Sequence, residues 1–204
     1  MYSQNSEERI IADYFGDFIG TLLDIGANDG ITFSNSYALL NKGWRGWLIE
    51  PDREAYNKLW ALYKDRQNHT ITCYNIAVGN ESKDVKFYKS GTHLNKGDTG
   101  LLSTVSKPDY EKWKSITEYK EYKVRMVSFL HLYKNWIPEK IDFITIDAEG
   151  MDLIILKQMD LNALGCKCIC VEWNGENKAE FDNYITPFGL KLIHQNNENL
   201  IYAK

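Results

Sequence analysis

The sequence predicts an α/β fold, a doubly wound and mostly parallel sheet that ends in a C-terminal antiparallel hairpin. Strand and helix candidates alternate from Thr21 to Trp173, the order that right-handed crossovers between parallel strands require. A short apolar run ends in a glycine-containing turn at residues 24–30. Near the end of the chain, apolar runs at 190–194 and 200–203 flank a polar turn, which is typical of a hairpin.

The elements follow from apolar runs and helix start signals. One domain over residues 1–204 is expected, since the chain shows no internal repeat and no domain boundary. Pro51 and Asp52 mark the start of the second crossover helix. Strands are expected at 21–25, 45–50, 70–78, 141–147 and 167–173, and helices at about 34–42, 52–65, 128–135 and 151–160.

Two segments are expected near the sheet mouth, and within them the polar stretches 3–9 and 90–106 lack a periodic core face. Residues 1–20 form an N-terminal lid with an amphipathic helix at 7–18 that packs across this mouth. Residues 80–125 form a loop-rich insertion, in which the polar stretch 90–106 suits a long active-site loop. The alternative for that stretch is a surface insertion without a function.

Composition restricts the function classes. A net charge of −4 argues against a nucleic-acid partner, and acidic residues interrupt the basic residues between 107 and 125. No apolar run is long enough to span a membrane, and the first nine residues lack a signal-peptide core, so a cytoplasmic location is expected. Cys166, Cys168 and Cys170 alternate as buried thiols on one face of a strand would, and no cysteine or histidine spacing predicts a metal site. The oligomeric state stays open.

The segment Asp24-Ile25-Gly26-Ala27-Asn28-Asp29-Gly30 predicts a cofactor-binding turn. Asp24 stands at the carboxyl end of the first strand, where open α/β sheets bind ligands. Gly26 and Gly30 are expected to let the backbone approach a ligand that a Cβ would exclude. The turn lacks the third glycine of a pyrophosphate-binding fingerprint, and an acidic residue suits a cationic cofactor better than a phosphate.

Glu50 is the second signal, because it ends the second strand and lies 50 − 26 = 24 residues after Gly26. A carboxylate at about this spacing binds the ribose hydroxyls in nucleotide-binding folds. Pro51 follows it directly. The two signals together predict a nucleoside-containing cofactor.

Carboxylates also follow the fourth and fifth predicted strands. Asp147 and Glu149 come after the apolar run 141–146, and Glu172 ends the run 167–172. Each is a candidate general base for a hydroxyl acceptor. Two structural alternatives remain open, in which Glu149 caps the next helix and Glu172 accepts hydrogen bonds from loop backbone. These carboxylates could hold a divalent cation that orients the acceptor oxygen, but no sequence feature indicates one, so a cation is not expected.

These motifs resemble those of the FkbM-like family of S-adenosylmethionine-dependent methyltransferases, over nearly the whole chain. Three departures from the family pattern are Ser6 in place of glycine, Glu8 in place of aspartate, and Ser128-Phe129-Leu130 where an aspartate is usual. The matching segments are Ser3 to Ile11, Asp24 to Gly30, Glu50-Pro51, Asn75 to Gly79 and Asp147 to Asp152.

The resemblance implies a class I methyltransferase with a Rossmann-like sheet that binds S-adenosyl-L-methionine. It implies O-methylation of a hydroxyl on a sugar, a glycan precursor or a secondary metabolite, so the partner is a small-molecule or glycan acceptor. The alternatives are a non-catalytic nucleotide- or cofactor-binding module and a Rossmann oxidoreductase. The cofactor-binding residues it implies are Asp24, Gly26, Ala27, Asn28, Gly30, Glu50, Pro51 and Ala77, with Ala77 facing adenine.

Overall fold

Two sheets and eight α-helices form the described part of the chain, which in this computed structural model comprises residues 2–67, 69–92, 100–137, 140–175 and 177–204. The strands are β1 (Thr21–Ile25), β2 (Arg45–Ile49), β3 (Ile71–Tyr74), β4 (Ala77–Gly79), β5 (Lys83–Ser90), β6 (Tyr119–Ser128), β7 (Phe143–Ile146), β8 (Cys168–Glu172), β9 (Lys191–Gln195) and β10 (Asn199–Ala203). The helices are α1 (Glu7–Phe15), α2 (Tyr37–Asn41), α3 (Arg53–Tyr63), α4 (Lys107–Trp113), α5 (Phe129–Trp136), α6 (Asp152–Leu156), α7 (Leu161–Leu164) and α8 (Lys178–Ile185).

The main sheet has the strand order β3-β2-β1-β7-β8-β10-β9. Strands β3, β2, β1, β7 and β8 run parallel, while β10 lies antiparallel between β8 and β9. The parallel strands are almost entirely buried, as they must be when helices cover both faces. The predicted doubly wound sheet with a terminal antiparallel hairpin is therefore confirmed.

Side chains that alternate along the strands build one hydrophobic core on each face of this sheet. Leu22 of β1 packs in the core under α1, α2 and α3, whereas Leu23 and Ile25 pack in the core under α5 to α8. The longest described helix, α3, has 11 residues. Across the described ranges, none of the helices has the length and apolar character needed to cross a membrane.

Polar side chains cap four of the described helices, and Asp52 is the cap that the sequence predicts. The Asp52 carboxylate accepts hydrogen bonds from the backbone N–H groups of Glu54 (2.7 Å) and Ala55 (2.9 Å), and so begins α3 as predicted. Ser128 and Asp160 cap α5 and α7 in the same way. These caps satisfy backbone donors that have no partner within the helix.

Two predicted elements are shorter than expected or divided. The predicted strand 70–78 divides into β3 and β4 because the Asn75 side chain donates to the carbonyl oxygens of Glu50 (2.9 Å) and Pro51 (3.0 Å), and the chain leaves the main sheet there. The predicted helix 151–160 ends at Leu156, and a separate short helix follows at Leu161–Leu164.

The prediction of a loop-rich insertion at 80–125 is wrong for most of its described residues. Strands β4, β6 and β5 form a second, three-stranded sheet there, and α4 lies between β5 and β6. The alternation along β5 is broken, because Lys89 shares the inner face with Val85 and Phe87, and Tyr88 is buried on the opposite face. Residues 93–99 of the predicted loop lie outside the described residues.

The cysteines are buried free thiols, but they do not share one face. Cys168 and Cys170 of β8 pack in the core beneath α1 to α3, and Cys166, just before the strand, packs in the core on the opposite face. Cys166 lies before the regular strand begins, so the period of two does not extend to it.

Helix α1 packs on one face of the sheet, where Phe15 meets Trp44 with ring centroids 4.7 Å apart. Its buried Glu7 accepts hydrogen bonds from the side chains of Asn196 (2.6 Å) and Asn199 (3.0 Å) and from the Asn5 backbone (2.8 Å). Burial opposes ionisation of Glu7, but these hydrogen bonds outweigh it and lower its pKa. Glu7 thus joins the N-terminal segment to the terminal hairpin.

We expect Glu7→Gln to lower the free energy of unfolding by about 1–3 kcal/mol at pH 7, because the amide cannot accept on both of its polar atoms. A carboxylate whose pKa is lowered by folding stabilises the protein above its unfolded pKa, and the benefit is lost as the pH falls through the folded pKa. The difference between variant and parent should therefore shrink from pH 7 to pH 3.5 in urea unfolding.

Asp13→Asn serves as the control, because Asp13 lies on the same helix and pairs with Arg9 in a solvent-exposed contact. It should change the unfolding free energy by less than about 1 kcal/mol. A loss for Glu7→Gln that is equally large at pH 3.5 would show that packing, and not ionisation, explains the effect.

Candidate functional site

A cavity of about 320 Å³ opens at the carboxyl ends of the parallel strands β1, β2, β7 and β8. This volume lies in the range of small-molecule sites. Almost every residue that the sequence singled out lines it, and only Gly30 lies outside its described lining. The sequence-predicted residues that line the cavity are Asp24, Gly26, Ala27, Asn28, Glu50, Pro51, Ala77, Asp147, Glu149 and Glu172.

The turn after β1 is held against both neighbouring strands. The backbone N–H groups of Gly26 and Ala27 donate to the Ile49 carbonyl at 2.9 and 3.0 Å. Gly26 has a φ of +93°, and a Cβ there would lie 1.7 Å from the carbonyl oxygen of Asp147. This glycine therefore lets the turn approach the end of β7.

Both glycines have a packing role that the sequence did not predict, because the atoms nearest to an added Cβ belong to the protein. For Gly26 the excluding atom is the Asp147 carbonyl oxygen, although the residue also lines the cavity. For Gly30, with a φ of +83°, a Cβ would lie 2.7 Å from Cδ1 of Leu59 in α3. Gly30 thus permits close packing of α3 beneath the turn.

Asp24 is buried at the end of β1, where its carboxylate accepts a hydrogen bond from the Ser36 hydroxyl at 2.5 Å. Burial raises the pKa of Asp24 to about 7, the Ser36 hydrogen bond opposes the rise, and the charge of Asp147 adds to it. Asp24 therefore changes charge near neutral pH, beside the turn.

Glu50 connects the first turn to the segment after β2. One carboxylate oxygen accepts from the Asn28 backbone (2.9 Å), and the other accepts from the Asp52 backbone (2.6 Å). Burial raises the pKa of Glu50 to about 8, and the two backbone hydrogen bonds oppose this rise. Each oxygen retains a lone pair that can accept a further hydrogen bond from a ligand hydroxyl.

The acidic loop after β7 is organised by Asp152, whose role the sequence did not reveal. Its two oxygens accept from the backbone of Ala148 (2.8 Å) and Gly150 (3.1 Å). The predicted alternative of a Glu149 helix cap is not observed, since the N-cap residue of α6 is Met151 and no side chain caps this helix. The sequence signal for this role is an aspartate two residues after Gly150, because Gly150 has a φ of +87° and turns the loop so that its N–H groups reach the Asp152 carboxylate.

Asp147, Glu149 and Glu172 meet on one side of the cavity, with one carboxylate oxygen from each within 4.8 Å of the others. Burial and the neighbouring acidic groups raise the pKa of Glu149 and Glu172 well above the usual range. Burial also raises the pKa of Asp147 to about 6, although a hydrogen bond with Glu172 opposes the rise. The three carboxylates act as one strongly coupled group.

Two buried polar atoms in the cavity lining have no hydrogen-bond partner. They are Oδ1 of Asn35 and Oε2 of Glu172. The amide nitrogen of Asn35 donates to the Thr145 hydroxyl at 3.3 Å, which leaves its oxygen as an acceptor. Unsatisfied buried acceptors cost free energy and are rare, so these atoms indicate a bound partner that supplies donors or positive charge.

The second sheet and the loop that follows its strand β5 complete the cavity wall. Lys89 of β5 forms an ion pair with Asp52 at 3.1 Å, and the Thr104 hydroxyl donates to the Glu149 carbonyl at 2.6 Å. From the predicted lid segments, Gln4 and residues 100–105 line the cavity. The insertion is therefore a structured wall in its described parts.

We expect Gly26→Ala to reduce the unfolding free energy by about 2–3 kcal/mol more than Gly43→Ala, as overpacking against backbone atoms does. The comparison is matched, because Gly43 has a similar φ of +100° and no atom within 4 Å of its added Cβ. Backbone strain is thus common to both variants, and urea unfolding measures the difference. Equal losses would mean that the contact with Asp147 adds nothing.

Comparisons with known proteins agree with this geometry. Residues 24–196 match the family model described as the methyltransferase FkbM domain. No curated protein matches the chain.

Solved structures show the same fold. A methyltransferase FkbM from Methylobacillus flagellatus has a TM-score of 0.59 and 16% identity, covering 91% of this chain, which spans 44% of the length of that chain. TrmK of M. capricolum in complex with S-adenosyl-homocysteine has a TM-score of 0.52 and 10% identity over 98% of this chain and 69% of its own. A ribosomal protein L11 methylase from Lactobacillus delbrueckii has a TM-score of 0.50 and 9% identity, and the match covers 97% of this chain and 75% of the methylase chain.

These identities support the fold alone, whereas the family model covers most of the chain, including the glycine turn, Glu50 and the acidic loop. The chain belongs to the FkbM methyltransferase family.

Proposed function

We propose that the chain is an S-adenosyl-L-methionine-dependent O-methyltransferase that acts on a hydroxyl of a sugar, a glycan precursor or a secondary metabolite. One observation supports this most strongly: the Asp147, Glu149 and Glu172 carboxylates share a cavity with the Gly26 turn and Glu50. A cofactor site and a group of candidate bases are thus adjacent, which is what methyl transfer to a hydroxyl requires.

The residues present fit the cofactor. Asp24 to Asn28 would hold its methionine part, and Glu50 would accept hydrogen bonds from the ribose hydroxyls with its free lone pairs. The small side chain of Ala77 leaves room for the flat adenine ring between the turn and the second sheet. The unpaired Oδ1 of Asn35 offers an acceptor for the ammonium group of the methionine part. Asn35 was not identified from the sequence.

The cofactor supplies a methyl group on a positively charged sulfur. The cavity carboxylates stabilise this charge, since opposite charges attract strongly at short range away from bulk water. Asp147 is the proposed base that accepts the acceptor hydroxyl proton, because its carboxylate lines the cavity directly beside the Gly26 turn. Positioning of the two reactants contributes most of the acceleration, up to about 7–11 kcal/mol.

Three alternatives compete with this proposal. A Rossmann oxidoreductase is disfavoured by the missing third glycine and by the insertion of β10 between β8 and β9. A non-catalytic cofactor-binding module leaves three converging carboxylates without a purpose. A nucleic-acid acceptor is disfavoured by the net charge of −4 and by this acidic wall.

The acceptor is proposed to bind against residues 100–105 and Trp113, which face the cavity from the insertion. The aromatic ring of Trp113 offers a flat apolar surface suited to a sugar. Trp173 is less suited, because it packs against the core and donates its ring N–H to the Asn196 carbonyl at 2.9 Å. A cytosolic location is part of the same proposal.

We expect the protein to bind S-adenosyl-L-methionine and not NAD⁺ in isothermal titration calorimetry. Glu50→Ala should weaken binding by about 1–3 kcal/mol, because it removes an acceptor for the ribose hydroxyls. Glu54→Ala is the control, since Glu54 is an exposed neighbour at the cavity rim that pairs with Lys89. Preferred binding of NAD⁺ would contradict the proposal. Unchanged affinity of Glu50→Ala for S-adenosyl-L-methionine would show that other residues bind the ribose.

We expect Asp147→Asn to lower turnover by roughly 10²- to 10⁴-fold while cofactor affinity changes much less, because the amide keeps the shape but cannot take a proton. Turnover is measured as S-adenosyl-homocysteine release with an acceptor found by screening hydroxylated sugars and metabolites. The turnover and stability of Glu149→Gln and Glu172→Gln are measured in parallel, because loss of a structural carboxylate should lower stability, whereas loss of a base should lower only the rate. Full turnover by Asp147→Asn would leave methyl transfer by proximity alone.

A further inference from the structure

We propose that Asp147, Glu149 and Glu172 form a binding site for a divalent cation such as Mg²⁺ or Mn²⁺. One carboxylate oxygen from each residue lies within 4.8 Å of the other two. Three oxygens at this separation can converge on one ion with small side-chain rotations, since ion-to-oxygen distances are about 2.0–2.6 Å. Carboxylate oxygens without nitrogen or sulfur ligands select hard cations.

The backbone directs the three side chains to one point. Asp147 and Glu172 follow the ends of the adjacent parallel strands β7 and β8, so their carboxylates start from the same edge of the sheet. Glu149 adopts a left-handed conformation with a φ of +46°, which a glutamate rarely does. This conformation is maintained by Asp152 and by the hydrogen bond from Thr104 to the Glu149 carbonyl.

An independent observation is the unpaired oxygen of Glu172. The residue is only 9% exposed, its Oε2 atom has no hydrogen-bond partner, and its side chain lines the cavity. The nearby Asp152 is different, because backbone N–H groups satisfy both of its oxygens. Glu172 accepts a side-chain hydrogen bond from Asn174, but no donor reaches its Oε2 atom, and a metal ion would satisfy that atom.

The total charge gives the same indication. Three carboxylates at this distance repel one another, and folding brings them together beside a fourth acid, Asp152. An ion with two positive charges offsets this repulsion. The singly charged sulfonium of the proposed cofactor compensates only part of it.

The role of the cation rests on the proposed function, although its binding does not. An ion at this point of the cavity would orient the acceptor hydroxyl and favour loss of its proton. One oxygen of each carboxylate would hold the ion, and the second oxygen of Asp147 would remain to accept the proton. The cofactor part of the cavity, around Gly26 and Glu50, provides none of the three ligands. Cation and cofactor should therefore bind together.

The test is Mn²⁺ titration of the EDTA-treated protein at pH 8, followed by the loss of the free Mn²⁺ signal in electron paramagnetic resonance. We expect one bound Mn²⁺ per chain, displaced by excess Mg²⁺, and retained when S-adenosyl-L-methionine is saturating. Glu172→Gln and Glu149→Gln should each weaken Mn²⁺ binding tenfold or more. Glu121→Gln, which removes a carboxylate from the surface pair with Lys86, should leave it unchanged.

Thermal unfolding separates a ligand from a structural residue. Mn²⁺ should raise the melting temperature of the parent but not of Glu172→Gln, while the metal-free variant melts at the same temperature as the parent or above it. Equal Mn²⁺ binding by parent and Glu172→Gln, or displacement of Mn²⁺ by S-adenosyl-L-methionine, would overturn the inference. Either result leaves cofactor binding in calorimetry intact, so the proposed function is tested separately.

Discussion

The contact between Gly26 and the Asp147 carbonyl is the constraint on which the cavity depends. The turn after β1 and the end of β7 approach so closely that no side chain fits between them. Asp24, Asn28 and Asp147 are thereby brought to a common edge, although more than a hundred residues separate the first from the last. Backbone hydrogen bonds from the turn to Ile49 then add the end of β2, and with it Glu50.

This closeness forces unusual backbone around the cavity. Asn28, Glu149 and Asn174, one from each of three loops that line it, have φ values of 46–49°. Such conformations cost of order 1–3 kcal/mol each, and they persist where the surrounding contacts determine them. Their coincidence at one cavity is typical of a site in which side-chain direction matters more than local stability.

Much of this arrangement could be predicted from the sequence, because the β1 turn, Glu50 and the acidic loop are local patterns at strand ends. Their convergence follows from the doubly wound topology alone. The roles of Gly26 and Gly30 could not be predicted, since the atoms that exclude a Cβ come from residues distant in sequence. The second sheet was missed because Lys89 on the inner face and buried Tyr88 on the outer face break the alternation along β5. Asn35 and Asp152 are polar residues whose roles depend on which partners they do or do not find.

The position of β10 has a consequence for how the molecule is made. Strand β9 pairs only with β10 among the described strands, yet it precedes β10 in the chain. A ribosome therefore releases β9 before its partner exists, and β8 keeps an open edge for the same interval. Glu198, a cavity residue in the turn before β10, and Asn199, whose side chain pairs with Glu7, also emerge only after β9. A growing chain consequently cannot complete its ligand site early, and its unpaired edges are exposed to other nascent chains until the hairpin closes.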